Sequence, residues 1–207
     1  PEGSTDPTAN ALPAWDLIAG NMCVSALLAA ERHRLRHGTG QAVDLNLKYV
    51  ASAVTGPLGM IGDATLNAQE RGKSGNALYG AYGQDFVCAD GRRIMIIGLT
   101  DRQWRGIVKA TDSADVMQRL AHENNADLND EGARWALRHQ ITALLSPWFQ
   151  ERALSDIAPI FDAAGLTWSE FRTIKRALAE DADLSAANSM FVKTQQGNSG
   201  SYLVPKS

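Results

Sequence analysis

Pro13-Ala14-Trp15-Asp16-Leu17-Ile18-Ala19-Gly20 opens a mostly apolar stretch that runs to about Leu35 and gives way to His37-Gly38-Thr39-Gly40-Gln41. Leu17, Val24, Leu27, Leu28 and Leu35 recur near helical spacing, which predicts a helix over residues 16–36. The small residues Ala19, Gly20, Ser25, Ala26, Ala29 and Ala30 would let another backbone approach it closely. Gly38-Thr39-Gly40 should end it, because glycine tolerates the left-handed backbone of a helix C-terminus. Ala42-Val43-Asp44-Leu45-Asn46-Leu47 then alternates apolar and polar and reads as a strand. A long helix handed on to a strand makes α/β the expected fold class.

Asp16 is the residue with the most chemical potential. A carboxylate at a helix N-terminus meets backbone N–H groups that lack intrahelical partners, and the positive end of the macrodipole. Both stabilise a negative charge placed there. Such a carboxylate caps the helix, or it attacks a carbonyl. The local residues leave both roles open, and an Asp opening an apolar helix is far more often a cap.

Further along, Lys48 to about Ile61 reads as a second helix broken or kinked at Gly56-Pro57. Residues 67–83, with Gly72, Gly75, Gly80 and Gly83, have no clear period and read as linker and loop. Residues 84–89 and 92–97 are two short strands, with Asp90-Gly91 as a two-residue hairpin turn in which both residues take positive φ. Thr100-Asp101-Arg102-Gln103 fits a capping box opening a helix to about Ala110. Helices are expected over 113–123, 130–145, 147–150 and 154–164, with Ser146-Pro147 as an N-cap and first helical residue and Gly165 as a stop. Thr167-Trp168-Ser169-Glu170 reads as another capping box, for a helix to about Ala179, and residues 193–207 read as loop or extended chain.

The 207 residues carry a net charge of -3, and 44% are hydrophobic, enough to build a core. The basic excess of a nucleic-acid footprint is missing. Arg32-His33-Arg34-Leu35-Arg36-His37 reads as a solvated helix end, where cations suit the dipole. Cys23 and Cys88, each in an apolar element, read as buried free thiols. The four His show no metal-ligand spacing, so no metal site is expected. No apolar run reaches the ~18–20 residues of a bilayer span, and the expectation is a soluble, cytoplasmic protein without membrane or nucleic-acid partners.

Taken in order, Asp16, Gly20, Leu27-Leu28-Ala29-Ala30, the basic run Arg32–Arg36, Gly38-Thr39-Gly40-Gln41-Ala42-Val43, Tyr82-Gly83, Ala89-Asp90-Gly91-Arg92 and Gln103-Trp104 resemble the family III CoA-transferases. The resemblance runs over roughly residues 13–205. It implies that Asp16 is a nucleophile that carries CoA between carboxylates through a covalent aspartyl intermediate. It also implies that a mobile glycine-rich loop covers the site, here matched by Gly72, Gly75, Gly80 and Gly83. The family's consecutive glycines are absent, and Arg71-Gly72-Lys73-Ser74-Gly75-Asn76 stands instead. Tyr82 and Tyr79 in this segment would face substrate or pack, and Arg71 and Lys73 would meet a carboxylate or phosphate or stay solvated. Coenzyme A enters as part of the substrate, with no separate cofactor.

Within the family, Leu12-Pro13-Ala14-Trp15-Asp16-Leu17, residues 75–83 and Thr100-Asp101-Arg102-Gln103-Trp104-Arg105 are most similar to members that move CoA within one molecule, from C1 to C4 of 2-methylfumaryl-CoA (mesaconyl-CoA). One alternative is an α-methylacyl-CoA racemase or epimerase, with the same Asp as acid and base; another is an inactive fragment. The implied architecture is part of a Rossmann-like large domain over residues 1–64, a linker over 65–83, a small α+β domain over 84–185 and a return linker over 186–207. The implied assembly is an interlocked homodimer. Pro1–Thr8 reads as a loop, and the chain is expected to be the middle-to-late part of a longer enzyme whose N-terminal half holds most CoA contacts. Residues 1–207 alone are then expected to be inactive.

Overall fold

A computed structural model describes residues 12–68 and 70–206, so the loop expected at Pro1–Thr8 lies outside the described residues. The chain divides into two compact units after Gly75, inside the stretch expected as linker. The fold class is mixed α/β, as the sequence implies.

In the first unit, α1 spans Ala14–His37, and Gly38 closes it in the left-handed conformation with its N–H on Arg34 O at 2.8 Å. The strand expected at 42–47 does not form: the chain there is irregular and among the described residues pairs with no other strand. Alternation reports which side chains want burial, but a strand needs a neighbour to take its ladder hydrogen bonds. The Rossmann-like layering expected for residues 1–64 is therefore not displayed. Asn46 instead caps α2 (Leu47–Thr55), its side chain accepting from Tyr49 N at 3.0 Å. The break at Gly56-Pro57 is real: α3 (Met60–Leu66) starts afresh after Gly59, whose φ is +75°. A Cβ on Gly59 would lie 2.9 Å from the Arg71 guanidinium.

The second unit is built on a three-stranded antiparallel sheet, β1 (Tyr82–Val87), β2 (Arg93–Gly98) and β3 (Thr167–Glu170), in the order β1-β2-β3. Helices α4 (Asp101–Ala110), α5 (Ala114–Glu123), α6 (Glu131–Ala136), α7 (Arg138–Gln150) and α8 (Leu154–Ala163) lie between β2 and β3 in the chain. Ile94 and Ile96 of β2 are fully buried in a core with Phe86, Trp104, Ile107, Ile141, Leu145, Phe149, Ile157 and Phe161. Phe86 stacks on Phe149 with ring centroids 4.1 Å apart, tying β1 to α7. Beyond β3 come α9 (Ile174–Glu180), a short 3-10 turn, and a hairpin of β4 (Phe191–Gln195) with β5 (Ser201–Pro205), where only loop or extended chain was expected.

Several expectations need correction. The β1–β2 turn is not a two-residue turn: Cys88 N bonds Arg92 O at 2.8 Å and Gly91 N bonds Cys88 O at 3.0 Å, so the loop is Ala89-Asp90-Gly91. Of these only Gly91 has positive φ, +76°, as in a type I turn followed by a left-handed glycine. The freed Asp90 carboxylate accepts from Arg92 N and, across the unit, from Leu154 N at 3.1 Å, where it caps α8. Ser146-Pro147 starts no helix: Pro147 lies inside α7, and Ser146 Oγ donates to Thr142 O at 2.7 Å. Thr167–Glu170 is a strand, not a helix start. The open edge of β2 supplies a partner in the register Ile94↔Glu170 to Ile97↔Thr167, and that ladder outweighs a local cap. Thr167 Oγ1 accepts from Gln103 Nε2 at 2.8 Å instead. The helix that follows is short and capped by Thr173. Cys23 is exposed and only Cys88 is buried. No described helix is long and apolar enough to cross a membrane.

Candidate active site

Asp16 is the third residue of α1, and the cap position is Pro13, which makes no side-chain cap. Asp16 therefore does not serve as the N-cap. Its carboxylate stands in the first turn, on the positive side of the helix, and is exposed. Trp15 and Leu17 beside it are 40% and 55% exposed, leaving apolar surface next to the acid. Not one residue of α1 is buried, although Val24, Leu27, Leu28 and Leu35 lie along it.

Two grooves among the described residues are lined by other side chains. One of about 250 Å³ in the first unit is lined by Cys23, Ala26, Leu27, Ala30, Gln41, Val43 and Leu45. One of about 430 Å³ in the second unit runs between α4 and α5 over Trp104, Val108 and Met117. Asp16 lines neither. Among the described residues no three His, Cys, Asp or Glu are grouped to hold a metal ion.

The glycine-rich stretch falls partly in each unit. In the first, Gly72 has open space where a Cβ would stand, and Gly75 has φ +61°. Arg71 is held in place: its Nε bonds Asp63 at 2.5 Å and its Nη1 donates to Leu58 O at 2.8 Å, which ties the segment to α3. In the second unit, Leu78 N bonds Gly83 O at 3.0 Å and Ala81 N bonds Leu78 O at 3.4 Å. Gly80, with φ +80° and open space around it, occupies the third place of this turn, as a type II turn requires.

Gly83 and Tyr82 are packing residues in this structure. A Cβ on Gly83 would meet Leu78 Cβ at 2.7 Å and Ile97 Cδ1 at 3.0 Å. Tyr82 is wholly buried, its hydroxyl 3.1 Å from Thr142 Oγ1 and its ring edge-on to Trp104. Burial pushes its phenol well above the ordinary range, which the Thr142 hydrogen bond offsets only in part. Tyr79 is half exposed and lies on Trp135, with ring centroids 5.1 Å apart.

Two residues passed over by the sequence reading stand out. Arg134 is fully buried and donates to Leu128 O, Asn129 O and Leu99 O at 2.8–2.9 Å, so it pins the loop before α6 to the end of β2. Burial pushes its guanidinium below the usual range, against the pull of Asp101 and its acidic neighbours. Arg138 sets its guanidinium 3.9 Å above the Trp135 ring and donates to Trp135 O at 3.0 Å. Trp135 and Arg138, three apart on a predicted helix, were the available signal.

The chain is 44% identical over all its 207 residues to a 2-methylfumaryl-CoA isomerase of Chloroflexus aurantiacus, and spans about half (51%) of that curated relative's length. Its fold is similar to the crystal structure of Rv3272 from M. tuberculosis, with a TM-score of 0.72 at 19% identity, covering 100% of this chain and 52% of that one. It is also similar to a CaiB/BaiF family protein from Brucella suis, with a TM-score of 0.65 at 20% identity, covering 100% and 55%. The family model for CoA-transferase family III matches residues 1–207, and the chain accordingly belongs to that family.

Proposed function

We propose that Asp16 is the nucleophile of a CoA transfer between carboxylates, and that the whole protein moves CoA from C1 to C4 of 2-methylfumaryl-CoA. The observation that carries this reading is the 44% identity to the isomerase across every residue of the chain. The exposed carboxylate in the first turn of α1, with apolar Trp15 and Leu17 at its sides, supports the role given to Asp16.

An Asp16 oxygen attacks the C1 thioester carbonyl, the C–S bond breaks, and a mixed anhydride and CoA thiolate result. The thiolate attacks the aspartyl carbonyl and expels the C1 carboxylate, leaving a thioester on Asp16. The C4 carboxylate then attacks that thioester and frees the thiolate, forming a second anhydride. Attack of the thiolate on the C4 carbonyl restores the Asp16 carboxylate. Each step exchanges groups of similar leaving ability. Water must be kept out, since it would hydrolyse the anhydride. The oxyanions need donors already in place; the backbone N–H groups at Gly72 and Gly75, in the same unit as Asp16, are suited to this. Coenzyme A takes part as the transferred group, and the same reading makes an interlocked homodimer the working assembly.

Asp16→Asn in the whole protein tests this. The substitution removes a charge from the first turn, worth at most about 1 kcal/mol at an exposed site, so folding is expected to survive. Turnover is expected to fall at least about a thousandfold, as when a nucleophile is deleted. Intact-mass measurement should show a hydroxylamine-sensitive adduct on wild type that is missing in the variant. Turnover near wild type, or solvent deuterium washed into the α-carbon of a saturated α-methylacyl-CoA, would overturn the proposal.

A further inference from the structure

A seven-residue helix is too short to hold its shape in water unaided, and α9 is one. It should draw its order from packing, yet none of its residues is buried. Phe171, Ile174 and Leu178 fall on one stripe at helical spacing, and all three are exposed, Ile174 by 75%. Charged side chains reach back to the sheet instead. Glu170, at the end of β3 and almost wholly buried, accepts from Arg176 Nη2 at 2.7 Å, Arg172 Nε at 2.9 Å and Arg92 Nη1 at 3.5 Å. Arg176 also pairs with Glu180, one turn on, at 3.2 Å, and Arg172 Nη1 donates to Asp181 at 3.2 Å. Asp181 in turn caps the 3-10 turn Ala182–Leu184, accepting from Asp183 N at 3.0 Å. The start, middle and end of residues 171–184 thus meet at one carboxylate.

We propose that residues 171–184 are a strap held down by charge rather than by apolar packing, which lifts as ionic strength rises while the sheet and its helices stay folded. The three guanidinium groups are 31–41% exposed, so dissolved ions reach the cations although Glu170 is covered. The Debye length shrinks from about 30 Å at 0.01 M salt to about 3 Å at 1 M, and attraction between such groups weakens with it. Ile94, Ile96, Phe149 and Phe161 are held by burial, which ions do not screen. Glu170 belongs to both parts. Its backbone pairs with Ile94 in the sheet, and its side chain holds the strap, so the strap can let go with the strand still in place. Segments with few buried apolar contacts are the ones that open ahead of the core.

The experiment is amide hydrogen exchange on the whole protein at about 0.01 M and about 1 M sodium chloride, with Arg176→Met, Glu170→Gln and Leu178→Ala beside wild type. Each charge variant is expected to speed exchange from Ala177 to Asp181 about tenfold or more, the scale of one hydrogen bond to a charged group. Exchange in β2 and α7 should stay within about twofold. High salt should speed α9 in wild type, and less so in Arg176→Met, where the pair is already gone. Leu178→Ala keeps every charge and should leave α9 within about twofold, as for an exposed side chain. Arg176→Met keeps good helix propensity and leaves Glu170 with Arg172 and Arg92, so it decides alone where Glu170→Gln loosens the whole unit. The proposal is overturned if Leu178→Ala opens α9 as far as Arg176→Met does, or if salt leaves α9 exchange in wild type unchanged. It is overturned equally if Arg176→Met leaves α9 exchange as it was, or speeds β2 and α7 along with it.

Discussion

Glu170, at the end of β3, is a side chain through which acid is expected to weaken the second unit. Its carboxylate is almost wholly buried and accepts from Arg172 Nε at 2.9 Å and Arg176 Nη2 at 2.7 Å, with Arg92 at 3.5 Å. Burial pushes its carboxyl up, but those hydrogen bonds and the Arg92 charge together hold it below the usual range. A depressed folded-state value means the unfolded chain takes up its proton first as pH falls. The stabilisation is complete above the ordinary Glu value of about 4.3 and is lost below it, through the folded-state value. Denaturant midpoints from pH 7 down to 3 should therefore fall more steeply in wild type than in Glu170→Gln; equal slopes would remove Glu170 as the cause. The sequence could not reveal this role, because Arg172 and Arg176 belong to no motif and Arg92 stands just before β2, 78 residues away in the chain. Asp16 was misplaced by position: an acid two residues into the helix reads the same as a cap when only the pattern is available.

At the level of elements, local signals succeeded where both partners were local. Thr100 and Gln103 form the expected box, Thr100 Oγ1 accepting from Gln103 N and Gln103 Oε1 from Thr100 N. Thr167 and Glu170 carry the same signal three residues apart, and it lost to the edge of β2, which no window around residue 167 contains. Asp90 is the converse case, a turn residue by sequence that also caps a helix 64 residues away. Asp90→Ala should therefore destabilise the second unit by about 1 kcal/mol, the usual worth of a cap. Hydrogen exchange should show the loss at the first turn of α8 as well as in the hairpin, and a change confined to residues 88–92 would show that the cap contributes nothing.

For the molecule as a whole, the contrast is between a second unit with a closed core and a first unit whose longest helix buries nothing. Leu27 is 69% exposed, Leu28 59% and Leu35 70%. Exposed apolar surface of this extent marks a protein interface or an association hazard. The 207-residue chain on its own is expected to bind a hydrophobic dye and to sediment above its monomer mass. A clean monomer that leaves the dye dark would show that α1 finds cover within the chain. The alternation at 42–47 was legible and the helix at 16–36 was legible; what failed was the inference that alternation alone makes a sheet, when the chain spans only about half of its curated relative.

The pairing of β2 with β3 carries a consequence for synthesis. The hairpin ending at Gly98 leaves the ribosome with one edge bare, and the strand that covers it ends at Glu170, after five intervening helices. At roughly 5–20 residues per second, that edge waits on the order of 4–14 s for its cover. An uncovered row of backbone donors and acceptors is a template for other nascent chains. Crowded polysomes and slow codons between residues 99 and 166 are thus expected to lower the yield of folded protein.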